Sequence, residues 1–279
     1  MTTLRNIESV GSMMMKDLTP AQIAEGAPQV YTKAPASTVS KKYSFLPTFM
    51  IVADMLKLGW KVSKAQSMKS KSKVQNAFGK HLLCFFHPDI FIKGADGKPE
   101  AYPQIVIMNN HRGWGRFKFE IGIFRLVCSN GLVIKTQDFG TFKMRHLGYS
   151  FEELQKLVNE AVSGLPKIVS KINKMDKTIM TQPQMKKFAE EALKVRLGGD
   201  KAFTDEEIKQ VLISQRKEDD GNSVWKVFNR VQEHLMAGGF FIKSQDNAKS
   251  RKVRKISNML KDVEMNQKLW SLIDKAVAA

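Results

Sequence analysis

The sequence predicts an α+β protein, with an antiparallel sheet, a helix in front of it, and a helical C-terminal half packed on or beside the sheet. Short apolar runs bounded by Gly, Pro, Asp and Asn fill residues 80–136, as in strands joined by turns. From residue 150 onward, apolar residues recur at helical spacing behind Ser and Thr capping residues. The chain has 279 residues and is 43% hydrophobic, enough for one large domain or two smaller ones.

Residues 1–40 are rich in Ser, Thr, Ala, Pro and Met, so we expect a flexible N-terminal arm with little core of its own. The sequence T-P-A-Q at 19–22 predicts one short helix in this arm. A second helix is predicted over 47–58, because Pro47 can open it and Gly59 can close it. That helix begins the predicted sheet-containing core, residues 41–149.

Residues 60–74 read W-K-V-S-K-A-Q-S-M-K-S-K-S-K-V. We interpret them as a surface loop with two open alternatives: its lysines grip a phosphate backbone, or they only solubilise the surface. Strands are predicted near 81–86, 89–93 and 103–109, with a turn at Asp96-Gly97. In R-F-K-F-E-I, residues 116–121, the apolar side chains point inward and Arg116, Lys118 and Glu120 point outward, which predicts a half-buried strand with a basic outer face.

Residues 150–279 are predicted to be a helical region packed on the core. Capping boxes at Ser150 and Thr204 open two helices, a third is predicted near 184–196, and a fourth carries Trp225. The apolar stripe of the last 25 residues is interrupted by polar residues near 264–266, which predicts a small break there.

Clustered positive charge is the strongest compositional signal. The net charge is +18, and it is concentrated in three windows: 41–80, with nine basic residues and one acid; 116–145, with six and two; and 243–261, with seven and one. Such clusters favour polyanions, and tryptophans such as Trp60 can stack on bases. The predicted nucleic-acid-binding residues are Lys61, Lys64, Lys69, Lys71, Lys73, Trp114, Arg116, Lys118, Arg251, Lys252, Arg254 and Lys255.

Catalytic and metal-binding readings have weaker support. His81, Cys84, His87, His111, Cys128 and His146 do not follow the spacing of a zinc finger or ribbon, so we expect no metal and no cofactor. Cys128 with His111 or His146 as base is an alternative for an enzyme, although no cysteine-enzyme signature is present. Arg125 lies in an apolar strand and requires a partner, Glu120 or an acid of the helices.

Three segments carry a family resemblance: P-Q-I-V-I-M-N-N-H-R-G from 103, F-E-I-G-I-F-R-L-V-C-S-N-G-L-V from 119, and M-R-H-L-G from 144. They resemble the signature of a family of phage- and plasmid-encoded proteins catalogued as a domain of unknown function, over roughly residues 40–275. Asn110 and Arg112 stand where that family usually has Ser and Asp, so no role of that aspartate carries over. The matching positions, structural or functional, are Asn109, His111, Arg125, Cys128, Asn130, Arg145, His146, Trp225 and Asn229.

The resemblance implies work on mobile-element DNA or against host defence. A more distant likeness, at the level of fold, is to single-strand annealing proteins. We therefore expect a phage or plasmid protein that binds nucleic acid, with single-stranded DNA favoured, in recombination or replication, as a homo-oligomer in the host cytoplasm. The alternatives are an enzyme acting on nucleic acid or nucleotides through His111, Cys128 and His146, and an interaction protein that binds a host protein. We expect no membrane span and, with only Cys84 and Cys128, no disulfide framework.

Overall fold

A computed structural model describes residues 15–40, 43–68, 73–93, 99–113, 117–125, 131–134, 150–199, 202–243 and 250–278, without the side chains of 73–75, 131–134 and 275–278. The helices are α1 (Pro20–Gly26), α2 (Thr48–Lys57), α3 (Lys73–Phe78), α4 (Phe151–Lys177), α5 (Gln182–Leu197), α6 (Asp205–Leu212), α7 (Val224–Ala237) and α8 (Met259–Ala278). The strands are β1 (Lys61–Ser67), β2 (His81–Phe86), β3 (Ile92–Lys93), β4 (Pro99–Asn109), β5 (Lys118–Arg125), β6 (Gly131–Ile134), β7 (Phe241–Lys243) and β8 (Ser250–Lys252). These elements confirm the predicted α+β class with a helical C-terminal half.

An antiparallel sheet forms the centre of the molecule, with strand order β1-β2-β4-β5-β6 and β3 paired beside β4. Because side chains alternate along a strand, register assigns each residue to a face. Leu83 of β2 lies opposite Ile107 of β4, which lies opposite Phe119 of β5, and all three are buried on one face. Helices α2, α4 and α7 contribute to the same hydrophobic core. The prediction that Phe119 and Ile121 of β5 point toward the core is therefore confirmed.

The opposite face of the sheet packs against the start of α8. Leu82 and Cys84 of β2 and Val106 of β4 form a second, smaller cluster with Met259 and Val263 of α8. All six residues of β2 are consequently buried, as expected for a strand that is covered on both faces.

The predicted break in the last helix is wrong, because α8 runs without interruption through residues 264–266. Asn266 is fully buried, and its side chain is satisfied inside the fold. Its carboxamide oxygen accepts from Gln232 of α7 at 2.7 Å, and its amide donates to the Asp262 side chain at 2.9 Å. Asn266, whose polarity suggested a break in the helix, instead makes a tertiary contact between α8 and α7.

Residues 61–67, predicted to be part of a basic surface loop, instead form the edge strand β1, which pairs with β2. Lysines and a bulge are common on edge strands because they discourage pairing with other chains. The N-terminal segment covers this edge: the Leu18 amide donates to the Val62 carbonyl at 2.8 Å. Residues 15–40, the described part of the expected flexible arm, thus lie against the sheet, with Ile23 and Val30 buried in the main core.

Local sequence signals explain where the helices of the C-terminal half begin. Thr181 and Thr204 form full capping boxes with Gln184 and Glu207, and Ser150 caps α4. None of the described helices is both long and apolar enough to cross a lipid bilayer.

Candidate nucleic-acid interface

The hairpin formed by β7 and β8 presents an aromatic ring among cationic side chains. Phe241 lies opposite Lys252, and Lys243 lies opposite Ser250, so these four residues share one face. Phe241 is 49% exposed, and the Lys252 ammonium lies 6.0 Å from the centroid of its ring. An exposed phenylalanine beside a cation matches the groups that bind single-stranded nucleic acid by stacking and charge.

Helix α6 holds the hairpin in place through its side chains. Gln210 accepts from the Phe241 amide and donates to the Phe241 carbonyl, each at 2.9 Å. Glu207, which is almost fully buried, accepts from the Lys243 amide at 2.7 Å. The hairpin backbone that carries the exposed ring is therefore tied to the helical half.

The basic segment after β8, which contains Arg254 and Lys255, is also held in place. Arg196 of α5 donates to the Leu235 carbonyl at 2.9 Å and to the Arg254 carbonyl at 2.8 Å, so it joins α7 to this segment. Gly238 has a φ of +68°, and a Cβ atom there would lie 2.6 Å from the Arg254 carbonyl carbon. Only glycine allows this approach. The side chains of Arg251, Lys252, Arg254 and Lys255 are exposed, and no ion pair among the described residues involves them.

Two predicted binding lysines on the edge strand are paired within the protein. Lys61 contacts Asp17 at 2.9 Å, and Lys64 lies 3.9 Å from Asp262 of α8. Burial raises the pKa of Asp262, while Lys64 and Lys255 act in the opposite direction. Lys64 and Lys255, distant in sequence, therefore lie near the same carboxylate.

Lys118 lies on the outer face of β5, which is only partly basic. Its side chain is exposed, and its positive charge contributes, after Lys268 and Lys261, to lowering the pKa of Glu264 on α8. The neighbouring Glu120 accepts a hydrogen bond from Gln267 of α8. Helix α8 thus covers part of this face and lies among lysines contributed by β1, β5 and the basic segment.

Eight of the predicted binding or signature positions, and the side chain of Lys73, lie outside the described residues. The eight are Lys69, Lys71, Trp114, Arg116, Cys128, Asn130, Arg145 and His146. Trp60 is described, and it is not a stacking platform: it is 3% exposed and packs edge-on against His87, with ring centroids 5.7 Å apart.

A buried polar cluster contains two residues of the signature, His111 and Asn109. Asn109 donates to the Thr48 hydroxyl at 3.0 Å, and that oxygen lies 2.8 Å from Nε2 of His81. Nε2 of His111 lies 3.1 Å from the Gln29 carbonyl, and Nδ1 of His81 lies 3.0 Å from the Gly79 carbonyl. A carbonyl can only accept, so each of these nitrogens carries the proton of its imidazole. The cluster ties the N-terminal segment and α2 to the ends of β2 and β4.

Burial keeps both histidines of this cluster neutral. It lowers the pKa of His81 to about 4 against the opposing hydrogen bond to Gly79, and it lowers the pKa of His111 to about 4 against the bond to Gln29. Both side chains are inaccessible to solvent. This environment suits a structural role better than proton transfer to a substrate.

Cys84 and the other described candidate ligands are not arranged as a metal centre. Burial raises the pKa of the Cys84 thiol to about 11, so the thiolate that metals require is disfavoured. Within the part of the chain that the structure describes, no group of three or more His, Cys, Asp or Glu side chains is placed to hold a metal ion.

Arg125 finds its partner in the helical half. Its guanidinium lies 3.0 Å from the carboxylate of Asp219, in the 3-10 helix Lys217–Asp219, and 5.6 Å from the ring of Trp225. This confirms the prediction of an acid in the helices and excludes Glu120 as the main partner. Asn229 donates to the Trp225 carbonyl at 2.7 Å within α7. Arg125 thus fastens β5 to the 3-10 helix and to Trp225 of α7, whereas the bond of Asn229 lies within its own helix.

Sequence reasoning missed Phe241, Gln210 and Arg196. Phe241 occurs in the run F-F-I-K after Gly238-Gly239, a signal for a short strand that was present in the sequence. The contacts of Gln210 and Arg196 join residues far apart in the chain, so no local pattern indicates them.

Comparison with known proteins identifies relatives over nearly the whole chain. The family described as "Domain of unknown function (DUF932)" matches residues 35–270. Among similar proteins of Escherichia coli (strain K12), UPF0380 protein YafZ is 24% identical over 276 residues, covering 98% of this chain and 97% of that protein. UPF0380 protein YfjQ is 25% identical over 278 residues, with the same coverage. No solved structure matches.

Proposed function

This chain belongs to the DUF932 family of domains of unknown function, and we propose that it binds single-stranded nucleic acid at the face formed by the β7–β8 hairpin and the basic segment after it. One observation carries the proposal: Phe241 is exposed on a hairpin that hydrogen bonds to Gln210 of α6 hold in place, and the exposed Lys252, which makes no ion pair among the described residues, has its ammonium 6.0 Å from the centroid of that ring. Stacking on an aromatic ring requires an unstacked base, which favours single strands over duplexes.

The distribution of charge supports the same face. The window 243–261 has seven basic residues and one acid, and each phosphate neutralised by such residues releases counterions. The lysines around α8 extend this positive region toward the sheet, although Lys61 and Lys64 are partly compensated by Asp17 and Asp262. We therefore rank Lys252, Arg254 and Lys255 above the lysines of β1 as phosphate contacts.

The biological setting that we propose follows from the signature resemblance. Single-stranded DNA is the favoured ligand, and recombination or replication of a phage or plasmid is the process, with the protein acting as a homo-oligomer in the host cytoplasm. The free, buried thiol of Cys84 is compatible with a reducing compartment.

The test is binding of a fluorescent single-stranded oligonucleotide, its duplex and the RNA of the same sequence across a salt series. The double variant Lys252→Glu/Arg254→Glu should bind more weakly, and the slope of log affinity against log salt should fall by about 1.4 if two single-strand phosphate contacts are lost. A matched control is Lys156→Glu/Lys187→Glu, which changes the charge equally at exposed helix positions with no described ion pair.

Phe241 gives an independent arm of the test. Phe241→Ala should weaken binding about 5- to 150-fold, the range expected for loss of stacking on one base, whereas Phe241→Tyr should retain it. Equal binding by the wild type, the hairpin variants and the control would refute the assignment of this face. Light scattering on the same samples would show whether an oligomer forms.

A further inference from the structure

An open groove of about 840 Å³ runs between helix α4 and the sheet, and no described residue of the hairpin lines it. One wall is a single stripe of α4, because its lining residues recur every three or four positions over four turns. The other wall comes from Pro103 of β4 and from the segment 90–92, which leads into β3. The volume lies in the range of ligand-binding clefts.

The groove changes character along α4. Val162, Leu165 and Val169 make the first half of the α4 wall apolar. The second half is polar and cationic, and its residues are Ser170, Asn173, Lys174, Lys177 and Thr178. None of the described residues that line the groove is acidic, and neither Lys174 nor Lys177, both exposed, forms an ion pair with another described residue. An occupant with an apolar part and an acidic end would be complementary to it.

The main chain beside the groove suits an extended peptide. Strand β3 pairs with β4 on one side, and no other described strand flanks it. Pro166 of α4 has no amide hydrogen, so the Val162 carbonyl, one turn earlier in the same stripe, loses its intrahelical donor. Both features offer hydrogen-bonding groups to a peptide main chain, as in recognition by strand addition.

The length of the stripe sets the size of the occupant. From Val162 to Lys177 the helix rises about 22 Å, which matches about seven residues of extended chain at ~3.3 Å each. A nucleic acid fits less well, because its phosphates repeat along the whole strand, whereas the lysines lie at one end only and the described residues that line the other half are apolar.

We propose that this groove binds an extended segment of a partner protein, with apolar side chains over the Val162–Val169 half and acidic side chains over Lys174 and Lys177. The site is separate from the proposed nucleic-acid face, so either proposal can fail without the other.

The experiment uses the full-length protein immobilised against a displayed library of random heptapeptides. Enriched peptides should combine apolar residues at alternate positions with Asp or Glu at one end. A synthetic, labelled copy of the best peptide is then titrated against the wild type, Lys174→Glu/Lys177→Glu, Val169→Asp, and the control Lys156→Glu/Lys187→Glu. We expect at least a tenfold loss of affinity for the two groove variants and no loss for the control. Oligonucleotide binding should be unchanged in the groove variants.

A charge swap makes the test decisive. A peptide with Lys in place of its acidic residues should bind Lys174→Glu/Lys177→Glu better than it binds the wild type. Failure to enrich any such peptide, or equal affinity of the enriched peptide for wild type and groove variants, would overturn the proposal. Displacement of the peptide by the single-stranded oligonucleotide would also overturn it, because the groove would then belong to the nucleic-acid site.

Discussion

Lowering the pH from 7 to 5 should destabilise the fold through its two buried histidines, His81 and His111. Burial lowers the pKa of each to about 4, compared with about 6.5 in the unfolded chain. Because the folded-state pKa is the lower one, the unfolded chain binds the protons more tightly. Stability is therefore unaffected by these groups above about pH 6.5, falls as the pH drops toward 4, and loses nothing more from them below that value.

The magnitude follows from the two pKa values. A change from 6.5 to about 4 corresponds to about 3 kcal/mol for each histidine when both states are fully protonated, and to about 2 kcal/mol at pH 5. The rings lie 5.0 Å apart, so charge on His111 further opposes protonation of His81. Together they should remove about 4 kcal/mol at pH 5, a large part of the stability of an ordinary domain.

The assay is urea unfolding followed by circular dichroism at pH 7, 6 and 5 for the wild type, His81→Gln and His111→Gln. The comparison of pH dependences matters, because burial raises the pKa of Asp219 and Asp262, and these carboxyls act in the opposite sense in every variant alike. Each variant should be less stable than the wild type at pH 7 and should lose about 2 kcal/mol less on going to pH 5. If both variants keep the full pH dependence of the wild type, the histidines do not titrate as their burial implies, and the reasoning fails.

Three further predictions concern the packing of the fold. Asp219→Leu or Arg125→Met alone should lower the free energy of unfolding by about 3–5 kcal/mol, since each removes the nearest partner of a buried charge and leaves Arg125 only Glu100 at 3.9 Å, or Asp219 only the weaker influence of Arg216. The double variant should be less destabilised than either single variant, and additive losses in urea titrations would contradict this. Gly238→Ala should weaken oligonucleotide binding, because its Cβ would displace the Arg254 backbone. Gly239→Ala should lower stability without affecting binding, since Gly239 has a φ of +95° but no atom lies within 4 Å of a Cβ there. Equal binding by the two variants would show that Gly238 does not support the interface. Cys84 should resist iodoacetamide in the native protein and react after unfolding, as measured by peptide mass spectrometry; rapid labelling in the native state would show that the second face of the sheet is open.

Much of the secondary structure could be predicted because it depends on local chemistry. The strand over 81–86 and the helix predicted over 47–58 agree with β2 and α2 within one residue at each end. The capping residues Ser150 and Thr204 mark the starts of α4 and α6, as expected. Alternation in β5 assigned its buried side chains correctly, because a strand with one face on the core exposes a period of two in its sequence.

The candidate interface was only partly predictable. The charge window over 243–261 indicated the basic segment, and Lys252 and Arg254 lie there, exposed. The same reasoning ranked Trp60 as a stacking residue, although it is buried, and overlooked Phe241, which is exposed. An aromatic residue in a short strand suits the core and the surface equally well on local grounds, so only its neighbours in space decide.

The sequence by itself determined the α+β class, most helix and strand positions and the excess of positive charge, because these depend on spacing between near neighbours and on composition. Tertiary structure decided which polar residues have structural partners. It paired Arg125 with Asp219 and bonded the buried Asn266 of α8 to Gln232 of α7. The physical reason is that burial makes a polar or charged group costly until it is paired, and the partners come from segments that only folding brings together.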